Sequence, residues 1–286
     1  MTRIAVLGTG LLGSGFAEGF LTRGATELVV WNRTKAKTDP LTALGATAAE
    51  SSAEAVRGAD RVHLVLLDDD TVDETIADFQ AALHPDAVII DHTTTLPART
   101  AARAAALESV GIKYLHAPVM MGPGAARTAK GLMLVAGPAA RFESVREALA
   151  EMTGELWYLG ERSDLASVYK LLGNAAGLSV VGVIADVMRL ADSANVDRAG
   201  ALEMLAKVNL NGPLGLRGTM MATGKYEPNF TLDVARKDLR LMLETAGDAP
   251  TPLLSALAAR MDEEIANGQG SEDFAVIGKA RSGATV

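Results

Sequence analysis

The feature that most constrains this chain lies at its start. An apolar run, Arg3-Ile4-Ala5-Val6-Leu7, stops at Gly8-Thr9-Gly10-Leu11-Leu12-Gly13, and an amphipathic segment follows to about Arg23-Gly24. A strand that turns through glycines at this spacing into a helix has the form of a dinucleotide site. The first glycine permits the tight turn, the second lets a pyrophosphate approach the backbone, and the third lets the helix pack closely on the strand. The helix N-terminus adds free amide donors and a favourable dipole. A purely structural glycine turn is the alternative, and the flanking strand and helix argue against it. Gly8, Gly10, Leu11, Leu12 and Gly13 are therefore candidate cofactor residues.

The end of the next apolar run selects between cofactors. Leu28-Val29-Val30-Trp31 leads into Asn32-Arg33-Thr34, where an NAD site usually carries Asp or Glu for the ribose hydroxyls. Here a cation replaces the acid. Arg33 is suited to a 2′-phosphate, with neutral hydrogen bonds expected from Asn32 and Thr34 and added positive field from Lys35 and Lys37. The expected cofactor is NADP(H).

Further along, β-branched runs alternate with Ala-rich helical segments: Val62–Leu67, Ala87–Asp91, Lys113–Leu115, Leu132–Ala136 and Glu155–Tyr158. That alternation predicts an α/β Rossmann domain, doubly wound around a largely parallel sheet. After Gly160 the strand runs stop. Helical spacing covers segments near 163–194, 197–207, 211–223, 230–247, 251–268 and 271–280, predicting an all-α domain. The expected division is 1–161 for cofactor binding and 162–286 for substrate binding and dimerisation, the second domain opening with a long interdomain helix.

Composition narrows the partners. A net charge of −8 argues against nucleic acid and anionic membranes. No cysteine and only four histidines leave no metal site in prospect. The N-terminal run reads as a strand rather than an export signal, so the expected location is the cytoplasm. The uncharged stretch Leu171–Ala185 falls short of the roughly 20 residues of a membrane span. It reads as a helix buried against a second copy in a homodimer or larger homo-oligomer, since one small helical domain has little material to cover it.

Across almost its full length the chain resembles the β-hydroxyacid dehydrogenase family, the relatives of 6-phosphogluconate dehydrogenase. These include 3-hydroxyisobutyrate dehydrogenases, glyoxylate/succinic semialdehyde reductases and imine reductases. The residues that carry the resemblance are the opening fingerprint Val6–Gly13, Asp91-His92-Thr93-Thr94-Thr95-Leu96-Pro97, His116-Ala117-Pro118-Val119-Met120-Met121-Gly122, Lys170-Leu171-Leu172-Gly173-Asn174 and Lys237-Asp238-Leu239. The resemblance implies that Thr93 and Thr94 lie beside the nicotinamide ribose, and Leu67 and Asp68 are counted with the cofactor residues. It implies a substrate loop at Met120, Met121 and Gly122, catalysis by Lys170 and Asn174, and a site completed by Lys237, which contacts cofactor or substrate, and Asp238.

Spacing agrees at Lys170 and Asn174, which share one helical face. Partial desolvation there lowers a lysine pKa and favours proton donation, although a lysine in a first turn also snorkels to solvent. Lys237 and Asp238 are open to a second reading, as solvated surface charges. The family's substrate loop has a serine and two glycines where this chain has Met120, Met121 and Gly122, and His116 stands where an aspartate is usual. The methionines suit an apolar substrate or serve as core packing. Three readings follow: an NADPH-dependent carbonyl reductase with Lys170 as proton donor, an imine reductase acting on C=N, and a non-catalytic NADP-binding regulatory protein.

Overall fold

In the computed structural model, which describes residues 2–209 and 211–279, the apolar runs of the first half pair as expected. β1 (Arg3–Leu7) lies between β2 (Glu27–Trp31) and β4 (Arg61–Leu64). β3 (Thr47–Ala48) adds to β2, while β5 (Val88–Asp91) and β6 (Lys113–His116) continue beyond β4. All these pairs are parallel, in the order β3-β2-β1-β4-β5-β6. The order reverses between β1 and β4, and the crevice at their C-terminal ends is where such sheets bind ligands.

Burial on both faces explains the unbroken apolar runs. Ile4 and Val6 point into one layer with Phe16, Phe20, Val30 and Ile90. Ala5 and Leu7 point into the other with Val29, Val62, Leu64 and Phe79. The covering helices are α1 (Leu11–Thr22), α2 (Asp39–Thr42), α3 (Ser52–Val56), α4 (Asp69–Phe79) and α5 (Pro97–Ser109). After β6 the chain forms β7 (Val119–Met120), α6 (Pro123–Arg127), β8 (Leu132–Val135), α7 (Ala139–Ala150) and β9 (Glu155–Tyr158).

Three local expectations are corrected. The strand expected over Val62–Leu67 ends at Leu64, because Val65, Leu66 and Leu67 leave the sheet to wall a cleft. The strands are not one sheet: β7, β8 and β9 form a second, with β7 antiparallel and β9 parallel to β8. The expected substrate loop is therefore partly strand, and His116 is the fully buried last residue of β6.

The chain divides into compact units at 1–175 and 176–286, inside the 29-residue helix α8 (Leu165–Ser193). The first turns of α8 belong to the first unit because Ala166 packs with Leu134 and Ala136. The second unit contains α9 (Arg198–Lys207), α10 (Asn211–Thr223), α11 (Leu232–Ala246) and α12 (Pro252–Ala266). Its core is built on Leu232, Leu239, Leu254 and Met261. The expected last helix over 271–280 is only a 3-10 turn at Phe274–Gly278, and Ala280 lies outside the described residues.

Leu171–Ala185 differs from expectation in the length of the helix that holds it. It belongs to a helix that is, by length and composition, long and apolar enough to cross a membrane. Leu172, Leu178 and Val181 are 62%, 73% and 66% exposed, so a single copy of the chain does not supply the expected burial.

Three imidazoles, His63, His92 and His116, are buried in the first unit. Burial holds all three below the ordinary histidine range, with His92 pushed down to about 4. The unfolded chain therefore takes up protons first as pH falls. Their contribution to stability is complete above a pH of about 6.5 and declines toward about 4, by up to roughly 1.4 kcal/mol per pH unit for each histidine still neutral. The urea midpoint should fall between about pH 6.5 and about pH 5; an unchanged midpoint over that interval would contradict the assignment.

Candidate active site

The turn between β1 and α1 takes the form the glycine spacing demands. Gly8 has φ +96°, and a Cβ there would collide with the Val65 carbonyl oxygen. A Cβ on Gly13 would collide with the Gly8 carbonyl oxygen, so α1 rests directly on the turn. Around Gly10, by contrast, a Cβ meets nothing within 4 Å. No side chain caps α1 and no acid lies in its first turn, so the helix presents bare amides beside open space.

That space is a cleft of about 390 Å³ whose lining includes Gly8, Gly10, Asn32, Arg33, Thr34 and Leu67. Arg33 forms no hydrogen bond or ion pair with a described residue. A free guanidinium at the strand end, with bare helix amides across an open turn, fits a dinucleotide phosphate. Asn32 has another task. Its Oδ1 accepts from Thr9 N at 3.1 Å and its Nδ2 donates to Thr34 O at 3.0 Å, binding the strand end to the glycine turn. Lys35 pairs with Glu50, which leaves Lys37 as the second cation lining the cleft.

Leu11 is 82% exposed, while Leu12 packs against the core beneath α1. Asp68 caps α4 by accepting from Thr71 N at 2.9 Å; these bonds hold its carboxyl below the usual range. Thr93 is buried, its Oγ1 accepting from Leu66 N at 3.1 Å, and Thr94 is exposed beside it. The cleft's far wall was missed: Thr71, Glu74, Thr75 and Asp78 line it from one face of α4. In sequence that stripe reads as the solvated side of an amphipathic helix, so it carries no signal of its own.

A second cluster in the same unit centres on Lys170. Its Nζ donates to Val119 O at 2.9 Å and to Asn174 Oδ1 at 2.9 Å, and lies 3.5 Å from Met120 Sδ. Half-burial alone holds the amine below the ordinary lysine range. The separation of four residues puts Asn174 one turn above Lys170, as the spacing predicts. Gly173 makes room for Met120, since a Cβ there would lie 2.7 Å from Met120 Cε. Met121 is half-exposed and Gly122 caps α6 with open space around it. In the second unit Lys237 and Asp238 pair with each other at 2.6 Å, their side chains 53% and 40% exposed.

A parallel 3-2-1-4-5-6 sheet with an open, uncapped glycine turn and an unpaired phosphate-type cation defines a nicotinamide-dinucleotide oxidoreductase. Residues 3–160 match the family described as the NAD binding domain of 6-phosphogluconate dehydrogenase. Residues 165–280 match the one described as NAD-binding of NADP-dependent 3-hydroxyisobutyrate dehydrogenase. The chain belongs to this 6-phosphogluconate/3-hydroxyisobutyrate dehydrogenase-like family and is an NAD(P)-dependent oxidoreductase.

It is 28% identical over 280 residues to glyoxylate/succinic semialdehyde reductase 2 of Arabidopsis thaliana, covering 96% of this chain and 78% of the relative. Among solved structures it resembles the reductive aminase from Aspergillus terreus in complex with NADPH and ethyl-5-oxohexanoate. There the TM-score is 0.87 and the identity 25%, covering 97% and 98% of the two chains. The imine reductase from Myxococcus stipitatus in complex with NADP+ shares the fold, with TM-score 0.88, 23% identity and coverage of 96% and 98%.

The two glycines separate folding from binding. Gly13→Ala should lower Tm by several degrees, because backbone must shift to relieve the clash with Gly8. Gly10→Ala should leave Tm within about 1 °C yet weaken NADPH at least about tenfold, since its methyl fills only ligand space. Isothermal titration and thermal melts of both variants check this; unimpaired NADPH binding by Gly10→Ala would count against the turn as the pyrophosphate site.

Proposed function

We propose that this chain is an NADPH-dependent reductase of an aldehyde or ketone, with a small oxoacid or semialdehyde among the candidates, and that Lys170 is the proton donor. The observation that carries the reading is the hydrogen bonding of Lys170. An ammonium has three N–H donors. Two are met by the oxygens of Val119 and Asn174, and the third faces the thioether of Met120. Sulfur accepts weakly, so a substrate oxygen displaces it at little cost. Bound NADPH supplies the hydride. Lys170 then donates its proton to the oxygen that gains charge, and its lowered pKa assists that transfer. Asn174 holds the amine in place. The family kinship, including a semialdehyde reductase that aligns with 96% of this chain, supports carbonyl substrates.

A second reading, reduction of C=N, is favoured by the fold shared with imine reductases and a reductive aminase, and by the apolar Met120 and Met121 in place of the family's serine and glycine. Lys170 argues against it, because a protonated iminium beside an ammonium is repelled. The remaining assignments go with the carbonyl reading: Arg33, Thr34 and Lys37 favour the 2′-phosphate, Thr93 and Thr94 face the nicotinamide ribose, and Lys237 and Asp238 complete the site. A homodimer or higher homo-oligomer, motivated by the exposed apolar stretch of α8, and a cytoplasmic location are part of the same reading. A monomeric mass in light scattering at micromolar concentration would count against the dimer.

Carbonyl and cyclic-imine panels assayed with NADPH discriminate the readings. Imine turnover without carbonyl turnover would sink the carbonyl reductase, and tight NADPH binding with neither activity would favour a non-catalytic role. Lys170→Ala should cut kcat by about 10²–10⁴-fold while the Kd for NADPH changes by less than about threefold. In the wild type, kcat should fall as pH rises through the Lys170 pKa. For the cofactor, Arg33→Ala should weaken NADPH roughly tenfold or more and leave NADH nearly unchanged; equal losses for both would show that Arg33 does not read the phosphate.

A further inference from the structure

The segment from His116 to Val119 has two edges. On one, His116 O accepts from Ala136 N at 3.0 Å and Pro118 O accepts from Leu134 N at 2.9 Å, which joins it to β8. The intervening carbonyls turn the other way, where Ala117 N donates to Asp91 O at 2.7 Å at the end of β5 and side chains take the two carbonyls. Val119 O is taken by Lys170 Nζ, and Ala117 O by His92 Nδ1 at 2.6 Å. Two side chains therefore complete this edge where β5 ends, and one of them is the proposed proton donor.

The protonation of the other follows from its partners. A carbonyl only accepts, so His92 carries its proton on Nδ1, and neutral His92 presents a bare Nε2. That nitrogen lies 3.0 Å from His63 Nδ1, which must donate. His63 Nε2 is then bare, and it is buried without a partner. A single arrangement of protons satisfies the pair. Phe16 and Phe20 of α1 pack on the two rings, with centroids 4.9 Å and 5.1 Å away. The charged and titratable groups that act on the pair are Asp91 and His116 for His92, and Arg61 for His63. No charged group shifts Lys170, for which burial is the one cause.

We infer that His92, with its tautomer set by the Ala117 carbonyl, is a positioning residue for Lys170: it fixes the Ala117–Val119 edge on which the ammonium is seated. The inference rests on Lys170 being the proton donor. Without the Nδ1 donor, Ala117 O is left unpaired, the edge relaxes, water reaches Lys170 and its pKa rises toward the ordinary value.

The tautomers are read directly by ¹H–¹⁵N multiple-bond NMR of the full chain near pH ~7, where both histidines should be neutral and protonated on Nδ1. An Nε2–H tautomer or a cationic ring at either position overturns the inference. In the kcat–pH profile on the best carbonyl substrate, His92→Leu should move the upper limb to higher pH by about 0.5 unit or more and lower kcat roughly tenfold. His92→Asn, whose amide nitrogen sits near the Nδ1 position, should keep the wild-type limb. A His92→Leu enzyme that binds NADPH normally with its upper limb unmoved overturns the inference, as does a His92→Asn enzyme no closer to wild type than His92→Leu.

Should His92→Leu fail to fold, His92→Gln serves instead, because its amide nitrogen sits near the Nε2 position and leaves Ala117 O without its donor. It should move the limb the same way; an unmoved limb overturns the inference. Lys170→Ala separates the two readings: an upper limb that survives it removes the proton-donor assignment and the link to His92, and the NMR result reads the buried pair alone.

Discussion

The contact between Gly13 and the Gly8 carbonyl governs the geometry of the first unit. It brings α1 directly onto the turn after β1, closer than any residue with a Cβ permits. Two consequences follow from that one approach. The first turn of α1 stands at the mouth of the crevice between β1 and β4 with its amides bare. The body of the same helix lays Phe16 and Phe20 onto the sheet, where they cover His92 and His63. Cofactor geometry and the buried imidazoles thus share one helix and depend on one glycine.

The site around Lys170 is built on a different principle, which is to leave nothing free except what chemistry uses. An edge strand is ordinarily a liability because its carbonyls stay unpaired. Here, where the segment leading into β7 runs past the end of β5, His92 and Lys170 take its outward carbonyls, and the lysine is held by oxygens on two sides. Leaving such a buried carbonyl unpaired costs about 1–3 kcal/mol, more than a typical hydrogen bond contributes net. Either donor is therefore expensive to lose. The thioether is the weakest of the three acceptors around the amine, and a weak contact at that point lets a substrate heteroatom enter.

Much of this was legible in the sequence because it is local. The glycine turn, the missing acid at Arg33, the i, i+4 pair Lys170 and Asn174, and five of the helices after Gly160 each follow from spacing along the chain. What was not legible is long-range or very short. Thr47–Ala48 and Val119–Met120 are two-residue strands with no period to detect, and the second sheet depends on them. Asn32 reads as a phosphate donor, and its amide proves also to tie Thr9 to Thr34, which nothing in the spacing announces. His63 and His92 are 29 residues apart and carry no mutual signal. A hydrophobic run likewise does not reveal what covers it, and the face of α8 that its composition marks for burial is exposed in a single copy.

The loop after β5 shows the same economy as the edge beside β7. Thr93 N donates to Asp91 Oδ1 at 2.9 Å and Thr93 Oγ1 accepts from Leu66 N. Thr93 O meets His116 Nε2 at 2.9 Å, and Leu96 N donates to Asp69 Oδ2 at 2.9 Å. Asp91 itself accepts from Tyr114 OH at 2.8 Å, and Arg103 binds Asp69 at 2.8 Å. Asp91 and His116 end strands and Asp69 begins α4, so the loop is fixed relative to the sheet and not only within itself. Thr94 is the threonine this scaffold leaves exposed, between a tied Thr93 and a buried Thr95. A hydroxyl that must meet a ligand needs that combination of an anchored backbone and a free side chain, because orientation fixed in advance is entropy that binding does not have to supply.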